Sequence, residues 1–223
     1  MDISIQIKCA KLYLFVIPKE ILIKKSIIKL NSISKRIIDI SFSIIALICL
    51  LPLIVILSTI IVMSSQGGII YKQVRIGKNG MQYQLYKFRS MFKNSENKTG
   101  PIWALVGDKR ITPIGKIMRK YHLDEIPQFV NVLIGQMSLV GPRPERPKII
   151  RSLIKEIPNY THRLTVKPGI TGWAQIMGNY DTTLEDVNKK LKNDLYYIEN
   201  ISIMFDFKII FLTMWIIMRG SGQ

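Results

Sequence analysis

Between Ile40 and Met63 the chain carries no charged residue, and roughly 20 apolar residues are enough for a helix to enter or cross a bilayer. This segment belongs in lipid. Lys24, Lys25, Lys29, Lys35 and Arg36 precede it, and Lys72, Arg75 and Lys78 follow it. Positive flanks favour the cytoplasmic side, so a simple span would strand one basic flank outside, whereas a re-entrant hairpin keeps both on one side. Pro52, near the middle of the run, removes a backbone hydrogen bond, clashes with the preceding turn and so supplies a bend. A kinked simple span and a buried core helix are the competing readings.

Composition points the same way. A formal charge of +17 coexists with 48% apolar residues and a mean hydropathy of +0.20, a pairing that suits an anionic membrane surface. A basic chain can also be a nucleic-acid binder, but no zinc-finger, RRM-like or homeodomain-like motif supports that. With 223 residues, one core plus a membrane segment is expected. Cys9 and Cys49 have no metal-ligand spacing around them and indicate a reducing compartment or plain packing. Asp2, Lys8 and Lys11 interrupt the first apolar runs and no small-residue cleavage site follows, so the N-terminal segment is expected to stay in the mature protein.

Along the chain, residues 1–34 read as a leader: Ile23, Ile27 and Leu30 recur at helical spacing with Lys24, Lys25 and Lys29 on other faces, the pattern of a basic amphipathic helix on a bilayer surface; a poorly ordered tail is the alternative. After Gly67 and Gly68 comes a polar domain. Its spacing predicts a strand at Gln82–Phe88, a flexible stretch around Asn94–Pro101 and a short basic helix at Ile114–Tyr121. A helix is expected to begin near Asp124 and end at Gly135, since Pro127 is tolerated in a first turn and glycine commonly closes helices. Two more helices are expected at Leu184–Ile198 and Phe205–Met218. The last has an uncharged stretch, Ile209–Met218 with Trp215, too short to span but suited to the headgroup boundary or to a core.

Four stretches could carry chemistry. The first runs from Arg119 to Pro127 and holds Asp124 and Glu125. A carboxylate at a helix N-terminus stays ionised and an incoming phosphate is welcomed there, although Asp124 as a plain N-cap is the simpler reading. Arg119 and Lys120 beside the acid pair suit Mg²⁺ and pyrophosphate chemistry. The second, Met137 to Arg146, fixes Arg143 between Pro142 and Pro144, which lowers the entropy a guanidinium loses in gripping a phosphate through two of its nitrogens; a structural turn with a solvated arginine is the alternative. In the third, Lys87 and Arg89 share a strand face by period two. The fourth, Val166 to Trp173, is either a tight loop offering backbone donors or a Gly-Pro connector.

In order, KRIID at 35–39, the proline-bent segment, QVRIG at 73–77, YKFRSM at 86–91, LDEIPQ at 123–128, MSLVGPRPE at 137–145, KPGITGWAQ at 167–175, DLYYIEN at 194–200 and DFK at 206–208 resemble the bacterial sugar transferases. More narrowly, the set resembles the small monotopic phosphoglycosyl transferases that prime capsule, O-antigen and glycoprotein glycans. The resemblance implies a re-entrant membrane helix, a mainly helical cytosolic globule and transfer of a sugar-1-phosphate from a UDP-sugar to polyprenol (undecaprenyl) phosphate. By position it makes Asp124 the phosphoryl-accepting nucleophile and the residue associated with Mg²⁺, Glu125 its dyad partner, and Arg119 and Arg143 phosphate-binding arginines. One departure is Leu51, where many members carry serine before the bending proline; a serine hydroxyl there satisfies the carbonyl freed by the bend.

The expected fold is therefore α+β and mainly helical, a monotopic membrane protein with interfacial amphipathic helices. The leader occupies 1–34, the re-entrant membrane hairpin with its bend at Pro52 occupies 35–66, and the cytosolic catalytic domain occupies 67–223. Asp124 and Glu125 are expected to be catalytic; Arg119, Arg143, Lys87 and Arg89 to bind substrate phosphate; and Asp124 to bind Mg²⁺. The expected partners are polyprenol phosphate, a UDP-sugar and the inner leaflet of the bacterial cytoplasmic membrane, with no nucleic acid; a homo-oligomer is left open. The rival of another class is a membrane-bound basic module for anionic lipid or nucleic acid.

Overall fold

A computed structural model describes residues 25–93, 95, 108–178 and 183–220. Most of the leader, including Ile23 and Cys9, and nearly all of the stretch around Asn94–Pro101 lie outside the described residues. Helix α1 (Lys25–Cys49) and helix α2 (Leu51–Ser64) meet at Leu50, and their axes differ by 62°. Pro52 stands in the first turn of α2, where its missing N–H is not needed. The backbone stays bonded through the bend, with Leu50 N donating to the Ala46 carbonyl and Ile54 N to that of Leu50.

Among the described residues no single helix is long and apolar enough to cross a membrane; the bent pair passes that test together. Ile44, Ile45, Ile48, Leu51, Val55, Ile56 and Ile60 are all exposed around the bend, which removes the buried-core-helix reading. The outer ends of the pair are docked instead. Arg36 donates to the carbonyls of Val132 (2.6 Å) and Leu133 (2.7 Å), and Asp39 accepts from Ser138 Oγ and Leu139 N. Lys35 pairs with Asp206 and donates to Tyr197. The KRIID sequence is thus a polar clamp that ties one turn of α1 to four elements of the globule.

Strands β1 (Ile70–Ile76) and β2 (Gln82–Phe88) form an antiparallel hairpin. It turns through Asn79 and Gly80, both at positive φ. The strand expected at 82–88 is found there. Helix α3 (Pro113–Lys120) is capped by Thr112, whose hydroxyl accepts from Gly115 N. The helix expected from Asp124 to Gly135 is broken in two: a 3-10 turn at Leu123–Glu125, then α4 at Gln128–Leu133. Ile126 N bonds the Leu123 carbonyl three residues back, which tightens the turn, and Pro127 has no N–H with which to carry an α-helical ladder onward. Gly135, at φ +86, ends α4 as expected.

Strand β3 (Ser138–Val140) runs parallel to β4 (Gly169–Thr171). Between them lie α5 (Pro147–Glu156) and a 3-10 turn at Tyr160–Thr165. A short α6 (Trp173–Met177), then α7 (Leu184–Glu199) and α8 (Ile203–Met218), complete the described chain. The last two begin and end within two residues of their expected limits. Helix α8 buries Asp206 and Ile209 but exposes Met204, Phe207, Phe211, Met214, Trp215 and Met218, so it is not a core helix. The result is α+β and mostly helical. Leu57, Ile61, Phe88, Met118 and Ile126 form one core cluster, which seats the return arm of the bent pair directly on β2, α3 and the turn bearing Asp124.

Candidate active site

The turn Leu123–Glu125 brings two adjacent carboxylates under the return arm of the helix pair, and both are buried, at 6% and 7% exposure. Their surroundings differ. Glu125 Oε1 receives Lys87 Nζ from β2 and Arg143 Nη2 from the loop after β3, each at 2.7 Å. Arg143 Nη1 lies 3.5 Å from Oε2. Burial alone would raise the Glu125 pKa, but Arg143 and Lys87 overcome it and hold the carboxyl well below its usual range. Glu125 in turn holds Arg143 firmly protonated.

Asp124 accepts no hydrogen bond and makes no ion pair among the described residues. Burial, with Glu125 beside it, raises its pKa, against the pull of Lys87, Arg119 and His122. It does not cap a helix: His122, in the left-handed region, holds the cap position of the turn, and α4 starts only at Gln128. The helix-terminus rationale for Asp124 is therefore corrected. The positive potential around it comes from side chains of β2 and α3. Arg119, in the last turn of α3, is anchored through Nε on Ser90 Oγ at 2.9 Å, and burial lowers its pKa while Asp124 and Asp108 support its charge.

Five of the six residues singled out in the sequence thus come together around one buried carboxylate pair: Lys87, Arg119, Arg143, Asp124 and Glu125. Arg89 does not join them. It lies past the end of β2, buried, and donates through Nη2 to the carbonyls of Ile61 (2.9 Å) and Ser65 (2.7 Å). The expectation that it shares a phosphate-facing side with Lys87 is replaced by a cap on the end of α2, because the strand stops at Phe88 and its face no longer governs the next side chain.

The Val166–Trp173 stretch resolves in favour of a brace. Gly169 N donates to the Pro142 carbonyl and Gly141 N to that of Thr171. A Cβ on Gly169 would lie 2.1 Å from Gly141 N, so only glycine lets the two backbones meet. Sequence reasoning missed the buried charges behind this brace, Arg163, Asp194 and Glu145. The available signal was an acid at position 194 on the apolar stripe of Val187 and Leu191, where helical spacing demands another apolar residue.

For a divalent cation, no group of three or more His, Cys, Asp or Glu side chains is poised among the described residues. Mg²⁺ commonly takes only one or two carboxylates and completes its shell with substrate phosphates and water. Asp124, buried with no partner of its own, fits as that single protein donor; Glu125, already occupied by two cations, does not.

Comparison with known proteins adds independent weight. The bacterial sugar transferase family model matches residues 30–220. The chain is 43% identical over 188 residues to the UDP-N-acetylgalactosamine-undecaprenyl-phosphate N-acetylgalactosaminephosphotransferase of Aeromonas hydrophila, covering 84% of this chain and 44% of that protein. It is 44% identical over 188 residues to the UDP-glucose:undecaprenyl-phosphate glucose-1-phosphate transferase of Klebsiella pneumoniae, covering 83% and 40%. It therefore spans less than half the length of these two relatives. Against the exopolysaccharide production protein PSS of Rhizobium leguminosarum bv. phaseoli it is 38% identical over 199 residues, covering 86% of this chain and 100% of the relative.

Proposed function

The chain belongs to the bacterial sugar transferase family, and on that premise we propose that it moves a sugar-1-phosphate from a UDP-sugar to polyprenol phosphate, giving a polyprenyl-diphosphate sugar and UMP. The observation that carries this reading is the asymmetric dyad: an unpartnered, buried Asp124 beside a Glu125 saturated by Lys87 and Arg143. A desolvated carboxylate with free lone pairs, ringed by cations, is suited to attack a phosphorus atom.

The reaction runs in two steps at one site. An Asp124 oxygen bonds to the phosphorus that bears the sugar, and the bridging oxygen leaves with UMP and its electron pair. A phosphate oxygen of the lipid then attacks the same phosphorus and expels the Asp124 carboxylate. The donor is soluble and the acceptor is anchored in a bilayer, so a covalent relay lets the two polyanions bind in turn. Arg119 and Arg143 bind the diphosphate, and Lys87 assists through the charge it shares with Glu125. Asp124 would hold Mg²⁺, which would supply charge neutralisation on the diphosphate. Glu125 keeps Lys87 and Arg143 in position for both half-reactions.

Membrane attachment completes the reading. Residues 35–66 form a re-entrant hairpin whose exposed apolar bend dips into the inner leaflet, with both basic flanks on the cytoplasmic side. Residues 67–223 form the cytosolic catalytic domain, and the exposed apolar face of α8 lies in the headgroup boundary. Arg219 over the Trp215 ring, at 4.7 Å, suits that boundary, where an aromatic body and a cation can sit together. In this arrangement the dyad, packed beneath the return arm, lies near the bilayer surface where the lipid phosphate resides. The test is UMP release from a panel of UDP-sugars in the presence of polyprenol phosphate. One donor should turn over; silence across the panel contradicts the reading.

A further inference from the structure

Arg143 owes its placement to the backbone beneath it. Four consecutive carbonyls of its loop each accept a hydrogen bond. Gly169 N donates to Pro142 and Ile76 N to Glu145. Arg163 Nη2 donates to Arg143 itself at 2.9 Å, and Arg75 Nη1 to Pro144 at 2.9 Å. The two side-chain donors sit at the centre of the run.

Both are held in turn by buried partners. Arg163 Nη1 donates to Tyr160 Oη at 2.7 Å, and its Nη2 lies 2.7 Å from Asp194 Oδ2. That second approach is an ion pair buried on both sides. Arg163 and Asp194 are almost completely buried. Arg75 lies 3.5 Å from Glu145 Oε2, and Lys190 reaches Glu145 Oε1 at 3.2 Å.

A buried ion pair is a poor choice for stability alone, because well-packed apolar residues of the same volume often do as well or better. What an apolar pair cannot do is donate strongly to two successive backbone carbonyls. Pro142 and Pro144 fix their own φ angles and Pro144 confines Arg143 to extended backbone, and the two arginines lock the rotation that remains within that region. We propose that Arg163, held by Asp194, and Arg75, held by Glu145, are positioning residues that fix the backbone under Arg143 and so aim its guanidinium at Glu125 and the donor diphosphate. The inference rests on the transferase reading above, and it assigns to the buried charges of the fold a part in that chemistry. A displacement of about 1 Å in a phosphate-gripping group can cost on the order of a hundredfold in rate, so anchoring of this kind affects turnover without touching substrate.

The test is a double-mutant cycle on the full-length protein in lipid nanodiscs. Arg163→Lys keeps the charge facing Asp194 but loses the flat fork that spans Tyr160, Asp194 and the Arg143 carbonyl together. It should lower kcat for UMP release roughly tenfold to a hundredfold with little change in Tm. In an Arg143→Ala background the same substitution should cost less than about twofold, because contacting groups are non-additive. Equal losses in both backgrounds, or a wild-type rate for Arg163→Lys, overturn the proposal. If Arg163→Lys does not fold, Arg75→Lys enters the same cycle with the same expectations. The Arg143 Nε–H resonance, assigned by its loss in Arg143→Ala, supplies a readout independent of turnover. It should shift or broaden in Arg163→Lys, and an unchanged signal contradicts the proposal. Absence of UMP release by the unaltered chain would instead count against the transferase reading, with the resonance still testing the positioning.

Discussion

Glu125 takes both cations that form ion pairs with the dyad, Lys87 and Arg143 each at 2.7 Å from Oε1, while Asp124, one residue earlier, takes neither. The two acids therefore act oppositely on stability. Asp124→Asn removes a desolvated charge and should raise stability by about 1 kcal/mol while abolishing turnover. Glu125→Gln strands two cations. A fully buried pair broken in this way costs about 3–5 kcal/mol, and with Arg143 partly open to solvent the loss should be nearer 2 kcal/mol. Denaturation midpoints of the two variants check this; a destabilised Asp124→Asn contradicts it.

The same asymmetry sets the pH dependence. Burial raises the Asp124 pKa, and the attacking form is the carboxylate, so UMP release should rise with pH through a limb above the ordinary aspartate range. Lys87 opposes the upward shift; Lys87→Met should therefore move the limb to still higher pH, and a limb that moves down or stays put refutes the assignment. For stability the signs differ. Glu125, held below its ordinary range, contributes fully above the unfolded glutamate value and loses that contribution as pH falls through its folded value. Asp124, raised, is a burden at high pH that acid relieves.

How much of this was legible in the sequence depends on the range of the interactions. The strand at 82–88, α3, α7 and α8 follow from local pattern and caps, and the bend follows from Pro52. Motif order located Asp124, Glu125, Arg119 and Arg143, and the fold gathers them. What failed was local geometry that a single bond decides: Pro127 and the Ile126-to-Leu123 bond split the expected helix and removed the terminus from Asp124. Long-range charge was also hidden. Nothing near position 163 announces a partner at 194, or near 35 a partner at 206, because such pairs are made by packing and not by spacing.

Arg89 separates a structural role from a substrate role. Its Nη2 donates to the Ile61 and Ser65 carbonyls, so Arg89→Met should cost about 1–3 kcal/mol of stability through the unsatisfied carbonyls it leaves, with an unchanged KM for the UDP-sugar. A large rise in KM at unchanged Tm would return it to the phosphate site.

Topology can be read directly. Cysteines introduced at Ser34 and Gly68, in a chain lacking Cys9 and Cys49, should both resist an impermeant thiol reagent applied to intact cells and both react after permeabilisation. Labelling of one position alone in intact cells would mean that the bent pair crosses the bilayer.

The most direct measurement is intact-protein mass after incubation with the UDP-sugar alone, without lipid acceptor. The expected result is a gain equal to one sugar-phosphate, mapped to Asp124, absent in Asp124→Asn and discharged by added polyprenol phosphate. An unmodified mass under trapping conditions, together with kinetics that require donor and acceptor bound at once, would contradict the covalent relay even if UMP were released.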